Sequence, residues 1–351
     1  MGSIGKVLVR IGVMLVMMLV SVSLARAEHL AGVTQITVPS EERGRDLSVT
    51  IWYPATLGGD PVRVGENIFF EGTPALFNAP WADGELPLVM LSHGAGLAGR
   101  AEAMGWIAAS LAEAGFVVAA PTHPGNTGRD RSAEETMKLW LRPSDVSAAL
   151  DALEDREDLA ARLDFNRVGA LGLSMGGNTA LLLAGARIDP AVLASYCDAE
   201  DPENSLCLWV RMSGVDLSAF DPVIAGRDST DPSFKAAMAM DPALVDVLDL
   251  TSFGDVEIPL SLVNLGAEED VPASLDASAV ADAVTHATYA RITDASHFSM
   301  FGVCKPNAAA IAVEEQIEDP ICSDGTGGSR DGIHREMVGL AEAFFNQALR
   351  P

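Results

Sequence analysis

The run Gly172-Leu173-Ser174-Met175-Gly176 has the spacing G-x-S-x-G. A serine hydroxyl is a weak nucleophile at its ordinary pKa, so it needs a base and a rigid, exposed seat. Glycines two residues to either side supply the seat, because they leave room for a sharp strand-to-helix turn that projects the serine. The flanks fit that turn. Val168-Gly169-Ala170-Leu171 reads as an apolar strand, and Gly176-Gly177-Asn178-Thr179-Ala180-Leu181 as the opening of a helix. The expected chemistry is attack of Ser174 on an acyl carbon. The bland alternative, a glycine-rich turn with a bystander serine, does not explain a buried strand before it and a helix after it.

Such an attack develops negative charge on oxygen and needs preorganised donors. The backbone N–H of Met175, at the helix start, is one. The second is expected from Ser92-His93-Gly94-Ala95-Gly96, which follows the apolar run Leu88-Val89-Met90-Leu91. Ala95 N–H is the first choice and Gly96 the fallback. His93 precedes the nucleophile and lies in this loop, so it reads as a residue that shapes the turn, not as the base.

Where a serine elbow is used in this way, the chain order is nucleophile, acid, histidine. After Ser174 there remain His286, His297 and His334. His286 precedes the last expected strand and His334 lies in the terminal helix. His297, in Asp294-Ala295-Ser296-His297-Phe298, follows that strand at its carboxyl end, where open α/β sheets bind ligands. The acid must hold the histidine Nδ1–H. Asp270, in Gly266-Ala267-Glu268-Glu269-Asp270 after the strand ending at Leu265, is the first choice. Asp241, in Ala239-Met240-Asp241-Pro242, is the alternative, and Glu269 a third. Acids are abundant in this chain, and most should be solvated.

These residues need a scaffold, and the chain alternates strand and helix signals from about residue 34 onward. Strands are expected at 34–38 and 47–53, joined by turn residues and forming an antiparallel edge. Residues 54–85, rich in Gly, Pro and Asn, read as a long loop. Continuous apolar runs at 88–91 and 116–120 read as strands buried on both faces, and further strands are expected at 168–173, 234–240, 259–265 and 288–292. Helices are expected at about 100–114, 143–156, 174–186, 273–284 and 331–349. The result is an α/β fold: a doubly wound, mostly parallel sheet with an insertion at 188–230, before the sixth strand. That insertion carries three prolines and two cysteines and is expected to act as a lid or substrate wall.

Bulk properties narrow the class. With 351 residues, 48% hydrophobic, the chain can bury a sizeable core in one α/β unit. Lys6 and Arg10, the apolar run Ile11 to Val22 and the Ala25-Arg26-Ala27 exit site have the form of a signal peptide over 1–27, cleaved before Glu28. The mature domain is then 28–351, with no membrane span and a periplasmic or extracellular address. The formal charge is −26, and residues 1–27 hold three cations and no acid, so the mature chain is more negative still. That argues against nucleic acid as a partner, since phosphates need basic patches. In an oxidising compartment the four cysteines can pair, and neighbour pairing gives Cys197–Cys207 and Cys304–Cys322. Zinc is not expected, because no C-x-x-C or closely spaced histidine pair accompanies them.

The chain resembles the secreted predicted dienelactone hydrolases of the α/β-hydrolase superfamily, relatives of the secreted-type platelet-activating-factor acetylhydrolases. The resemblance rests on Ile51-Trp52-Tyr53-Pro54, Ser92-His93-Gly94, Pro121-Thr122-His123-Pro124-Gly125-Asn126, Arg142-Pro143-Ser144-Asp145-Val146 and the elbow. It continues through Tyr196-Cys197 with Cys207, Gly266 to Asp270, His297-Phe298 with Cys304, Ile321 to Asp324, and His334 to Phe345. It implies the α/β-hydrolase fold and a triad of Ser174, His297 and Asp270, while the acetylhydrolase branch would place the acid at Asp241. True dienelactone hydrolases use a cysteine nucleophile, so the family label does not name a substrate. A related polyester-cleaving branch has His or Trp where this chain has Leu173. The expected activity is hydrolysis of a carboxylic ester, small or polymeric, through an acyl-enzyme, with no cofactor and no metal. An amide or polymer-backbone hydrolase on the same residues is the alternative, and a non-catalytic binding protein the more remote one.

Overall fold

Residues 88–91 show how the sequence makes the central layer. Their side chains point to alternate faces, and both faces are covered: Leu88 and Met90 enter one hydrophobic core, Val89 and Leu91 the other. A strand in that position can be apolar throughout, which is why the parallel strands read as unbroken apolar runs. The computed structural model describes residues 29–127, 130–199 and 205–350. The expected signal segment, 1–27, lies outside the described residues.

In chain order the strands are β1 (Leu30–Ser40), β2 (Arg45–Ala55), β3 (Asp60–Val64), β4 (Thr73–Phe77), β5 (Leu86–Ser92), β6 (Val117–Pro121), β7 (Asn126–Thr127), β8 (Asp130–Arg131), β9 (Leu163–Leu173), β10 (Phe234–Met240), β11 (Leu260–Leu265) and β12 (Thr288–Ile292). The helices are α1 (Gly105–Glu113), α2 (Ala133–Met137), α3 (Leu141–Glu154), α4 (Glu157–Ala160), α5 (Met175–Ala184), α6 (Pro190–Ala194), α7 (Ser205–Met212), α8 (Pro222–Ala225), α9 (Ser278–Ala283), α10 (Ala308–Glu314) and α11 (Arg330–Leu349). Among the described residues, ten strands form one sheet in the order β12-β11-β10-β9-β5-β6-β2-β1-β4-β3. From β12 to β6 neighbours are parallel; β2 runs antiparallel to both β6 and β1. This is the mostly parallel, doubly wound sheet that the sequence predicts.

Four expectations need correction. The pair β1–β2 is not the edge: β4 pairs with β1 and β3 closes the sheet. Residues 54–85 are therefore not one long loop. Their strands are short and half-exposed, so they carry no continuous apolar run. The helix expected over 273–284 is reduced to α9. The helix expected over 100–114 begins as a 3-10 turn at Ala101–Met104 before α1.

Helices α1 and α11 pack on one face of the sheet, and α3 and α5 on the other. The described part of 188–230 consists of α6, α7, a 3-10 turn at Leu217–Ala219, and α8. Cys197 is bonded to Cys207 within it, and Cys304 to Cys322 near the carboxyl end of the sheet. Both are the pairs chosen from sequence proximity. Among the described residues no helix is long and apolar enough to cross a membrane.

Candidate active site

β9 ends at Leu173 and α5 begins at Met175, so Ser174 makes the turn alone. It does so at φ 56° and ψ −126°, in the positive-φ region that L-residues rarely adopt. Such a conformation costs on the order of 1–3 kcal/mol and persists only where the surroundings enforce it. Here Ser174 N–H donates to the Met240 carbonyl at 3.0 Å, and the Ser174 carbonyl accepts from Gly177 N–H at 2.8 Å and Ala243 N–H at 2.9 Å. The two motif glycines are needed for closeness. A Cβ on Gly172 would run into the Gly176 carbonyl, and one on Gly176 into that of Ser92.

Ser174 Oγ lies 3.1 Å from His297 Nε2, and His297 Nδ1 lies 2.6 Å from Asp241 Oδ2. Asp241 is fully buried at the end of β10. Its other oxygen accepts from Asn264 Nδ2 and from Leu265 N–H, each at 2.9 Å. With Asp241 accepting from Nδ1–H, the His297 tautomer leaves Nε2 free to accept the Ser174 proton.

The acid expected first from the sequence, Asp270, is not part of this chain of contacts. It is exposed in a 3-10 turn at Glu268–Asp270 after β11, as is Glu269, and among the described residues neither side chain has a hydrogen bond to His297. The reason is strand order. β10 lies directly beside β9, whereas β11 is one strand further out. What β11 supplies is the support that fixes Asp241. The sequence did hold a signal for this: Asn264 is a polar residue near the end of a mostly apolar strand, and in the fold it is fully buried against Asp241.

His297 opens a 3-10 turn, His297–Met300, that is tied down on several sides. The Ser296 N–H donates to Ser299 Oγ, which donates in turn to Asp324. Trp106 of α1 donates from Nε1 to the Met300 carbonyl at 2.9 Å, and His334 of α11 donates from Nε2 to the Ser299 carbonyl at 2.9 Å. The two rings stack at 3.8 Å, and burial pushes the His334 imidazole down to about 4. Arg330 donates to Asp324 and to the carbonyls of Phe301, Gly302 and Ile321. Thus His334, which the sequence places away from the chemistry, braces the turn that presents His297.

The Ser92–Gly96 loop stands across from Ser174. His93 is fully buried; its Nδ1 donates to the Gly94 carbonyl at 2.7 Å, and its Nε2 accepts from the His123 N–H at 3.0 Å. Behind it lies a second, sealed array. Ser92 Oγ lies 2.8 Å from His123 Nε2, and His123 Nδ1 lies 2.8 Å from Asp145 Oδ2. All three are buried, and Asp145 also pairs with Arg43 at 2.7 Å. Arg142, likewise buried, donates to the His93 carbonyl, to Asn126 Oδ1 and to Thr179 Oγ1 of α5. Burial draws its guanidinium down to about 9 and holds both His93 and His123 well below the ordinary imidazole value. Arg43, His123, Arg142 and Asp145 are residues to which the sequence alone assigns no role.

A cleft of about 670 Å³ opens beside His297, lined by Leu265, Leu275 and Phe298 among others, with Glu269 and Asp270 on its wall. Nearby, Arg131 of β8 lies over the Trp209 ring of α7 at 4.3 Å. The Asp319 carboxyl is raised by burial, against the opposing pull of His297 and Arg131. Among the described residues no group of three or more His, Cys, Asp or Glu could hold a metal ion.

Residues 75–207 match the dienelactone hydrolase family. The chain has the α/β-hydrolase fold. The matched stretch carries the Ser92–Gly96 loop and Ser174, and ends before Asp241 and His297. Among solved structures, the chain is similar to a ferulic acid esterase from Streptomyces cinnamoneus, at 16% identity over 94% of this chain and 93% of that one, with a TM-score of 0.56. It is also similar to a dienelactone hydrolase from Anabaena variabilis, at 17% identity over 92% of this chain and 100% of that one, with a TM-score of 0.49. A puromycin-hydrolyzing peptidase from Mycobacterium tuberculosis aligns at 15% identity and a TM-score of 0.50, covering 93% of this chain and 40% of that one. At these identities the likeness is one of fold. No curated protein sequence matches.

Proposed function

We propose that the protein is an exported serine esterase with Ser174 as nucleophile, His297 as general base and acid, and Asp241 as the residue that orients His297. One observation carries the reading: the continuous contact from Ser174 Oγ through His297 to Asp241, at 3.1 Å and 2.6 Å. Both lie in hydrogen-bond reach for general-base activation of a hydroxyl. In the acylation step His297 Nε2 takes the Ser174 proton as Oγ bonds to the ester carbonyl carbon. The carbonyl oxygen becomes an oxyanion, held by the Met175 and Ala95 N–H groups. Collapse breaks the bond to the alcohol oxygen, which leaves with the proton from His297. Water then repeats the sequence, and the acid product is released with Ser174 restored. Every atom and proton is accounted for by ester, water and these residues.

The substrate is a small-molecule or polymeric ester, admitted at the cleft beside His297. We assign the 188–230 segment, held to β8 by the contact of Arg131 with Trp209, to an outer substrate wall beyond the residues that line the cleft. Export is supported by the two disulfides, which persist in an oxidising compartment. The test is direct. The purified wild type should hydrolyse p-nitrophenyl acetate, a fluorophosphonate should label it at Ser174, and Ser174→Ala should lose both. Activity retained in Ser174→Ala overturns the proposal, and a preference for p-nitroanilides over esters redirects it to amide cleavage. The exported protein should begin at Glu28 by N-terminal sequencing.

A further inference from the structure

The peptide unit joining Gly94 to Ala95 carries a carbonyl on one side and the Ala95 N–H on the other. A trans peptide is planar, so the two point in opposite directions. Whatever holds the Gly94 carbonyl therefore aims the Ala95 N–H. The group that holds it is His93 Nδ1, at 2.7 Å. The imidazole is in turn fixed at its far nitrogen, where Nε2 accepts the His123 N–H at 3.0 Å. An acceptor role at Nε2 leaves the proton on Nδ1, so the tautomer that can grip the carbonyl is the one the fold selects. The preceding peptide is pinned as well, because Arg142 donates to the His93 carbonyl.

The loop lies close to the nucleophile. A Cβ placed on Gly94 would sit 3.1 Å from Ser174 Cβ and 3.5 Å from its Oγ. The peptide that His93 grips is therefore adjacent to the reacting oxygen. The imidazole itself is fully buried and held in the neutral form by burial, so it does not reach a substrate.

We propose that His93 is the positioning residue of the oxyanion hole: its Nδ1–H fixes the Gly94–Ala95 peptide so that the Ala95 N–H faces the carbonyl attacked by Ser174. The inference rests on the serine-esterase reading above. His123 holds the tautomer of His93, and the buried Asp145, in contact with Arg43, holds His123. Arg142 couples the loop to α5 through Thr179, so loop and nucleophile keep their mutual placement.

The test uses side chains that reproduce one end of the imidazole at a time. His93→Asn places an amide N–H near Nδ1 and keeps the donor to Gly94. His93→Gln reaches the Nε2 position and keeps the acceptor for the His123 N–H, but lacks that donor. His93→Leu lacks both. Loss of one oxyanion donor typically costs about 10²–10³ in kcat. The Leu and Gln variants should fall by about that factor with KM within about threefold, and affinity for a trifluoromethyl ketone should weaken in parallel. His93→Asn should recover to within about tenfold of wild type. Thermal melts show which variants are folded, and the Asn–Gln comparison stands even if Leu does not fold. Equal kcat in Asn and Gln, or a fall in kcat with unchanged trifluoromethyl ketone affinity, overturns the inference. If the wild type itself is neither labelled by fluorophosphonate nor active on esters, it is the esterase reading that has failed.

Discussion

Replacing Asp241 by Asn tests the site at its least legible member. The substitution keeps shape and volume but exchanges one acceptor oxygen for an NH₂ group. At present Oδ1 accepts two donors, Asn264 Nδ2 and Leu265 N–H, and Oδ2 accepts one, from His297. If the amide NH₂ replaced Oδ1, it would oppose two buried donors, each left unsatisfied at about 1–3 kcal/mol. If it replaces Oδ2, it opposes only His297 Nδ1–H. The second orientation wins, and His297 answers by moving its proton to Nε2, where it can no longer accept from Ser174. In a serine–histidine–aspartate site, that tautomer switch lowers kcat by about 10⁴, or ~5 kcal/mol in the barrier. Steady-state hydrolysis of p-nitrophenyl acetate should show this fall with little change in Tm. Asp270→Asn should stay within about threefold of wild type. A nearly active Asp241→Asn together with an inactive Asp270→Asn would refute the reasoning.

Other expectations follow from the same contacts. His334 takes up a proton near 6.5 when unfolded but only at about 4 when folded, so the unfolded chain binds more protons between those values. Its burial therefore costs nothing above pH 6.5 and up to ~3 kcal/mol by pH 4. In urea melts across that window, His334→Phe should lose less stability than wild type, and parallel curves would contradict this. The Cys304–Cys322 bond closes a separation of 18 residues, so Cys304→Ser with Cys322→Ser should lower the unfolding free energy by about 3 kcal/mol. Arg142→Met strands the His93 carbonyl in the interior and takes a charged donor from Asn126 Oδ1; chemical denaturation should show a loss of about 3 kcal/mol or more. An unchanged midpoint in either case would count against the structural role of that disulfide or of Arg142.

The central parallel strands are legible because burial on both faces leaves an unbroken apolar run, as in 88–91 and 168–173. The Ser174 elbow is legible because its glycines are demanded by backbone contacts within a few residues. His297 follows from its place after the last strand. The hairpin β3–β4 escapes notice because its short, half-exposed strands carry Pro and charged residues, which read as loop. Asp241 is a different kind of loss. Choosing it over Asp270 requires knowing that β10 lies beside β9 and β11 outside it, and strand order is a property of the folded sheet. Arg142 and Asp145 sit on α3, and nothing in their local pattern distinguishes sealed charges from a solvated helix face.

The sealed array Ser92–His123–Asp145 repeats the residue types and connectivity of Ser174–His297–Asp241, with similar spacings. The molecule thus carries its own control experiment on reactivity. One circuit ends on a serine with ordinary strand geometry, and its histidine is sealed; the other ends on a serine at a forced corner, and its histidine lines an open cleft. A search by residue constellation alone would count two active centres in this chain, and a covalent probe should find one. Composition makes both circuits possible, and access and backbone geometry set them apart.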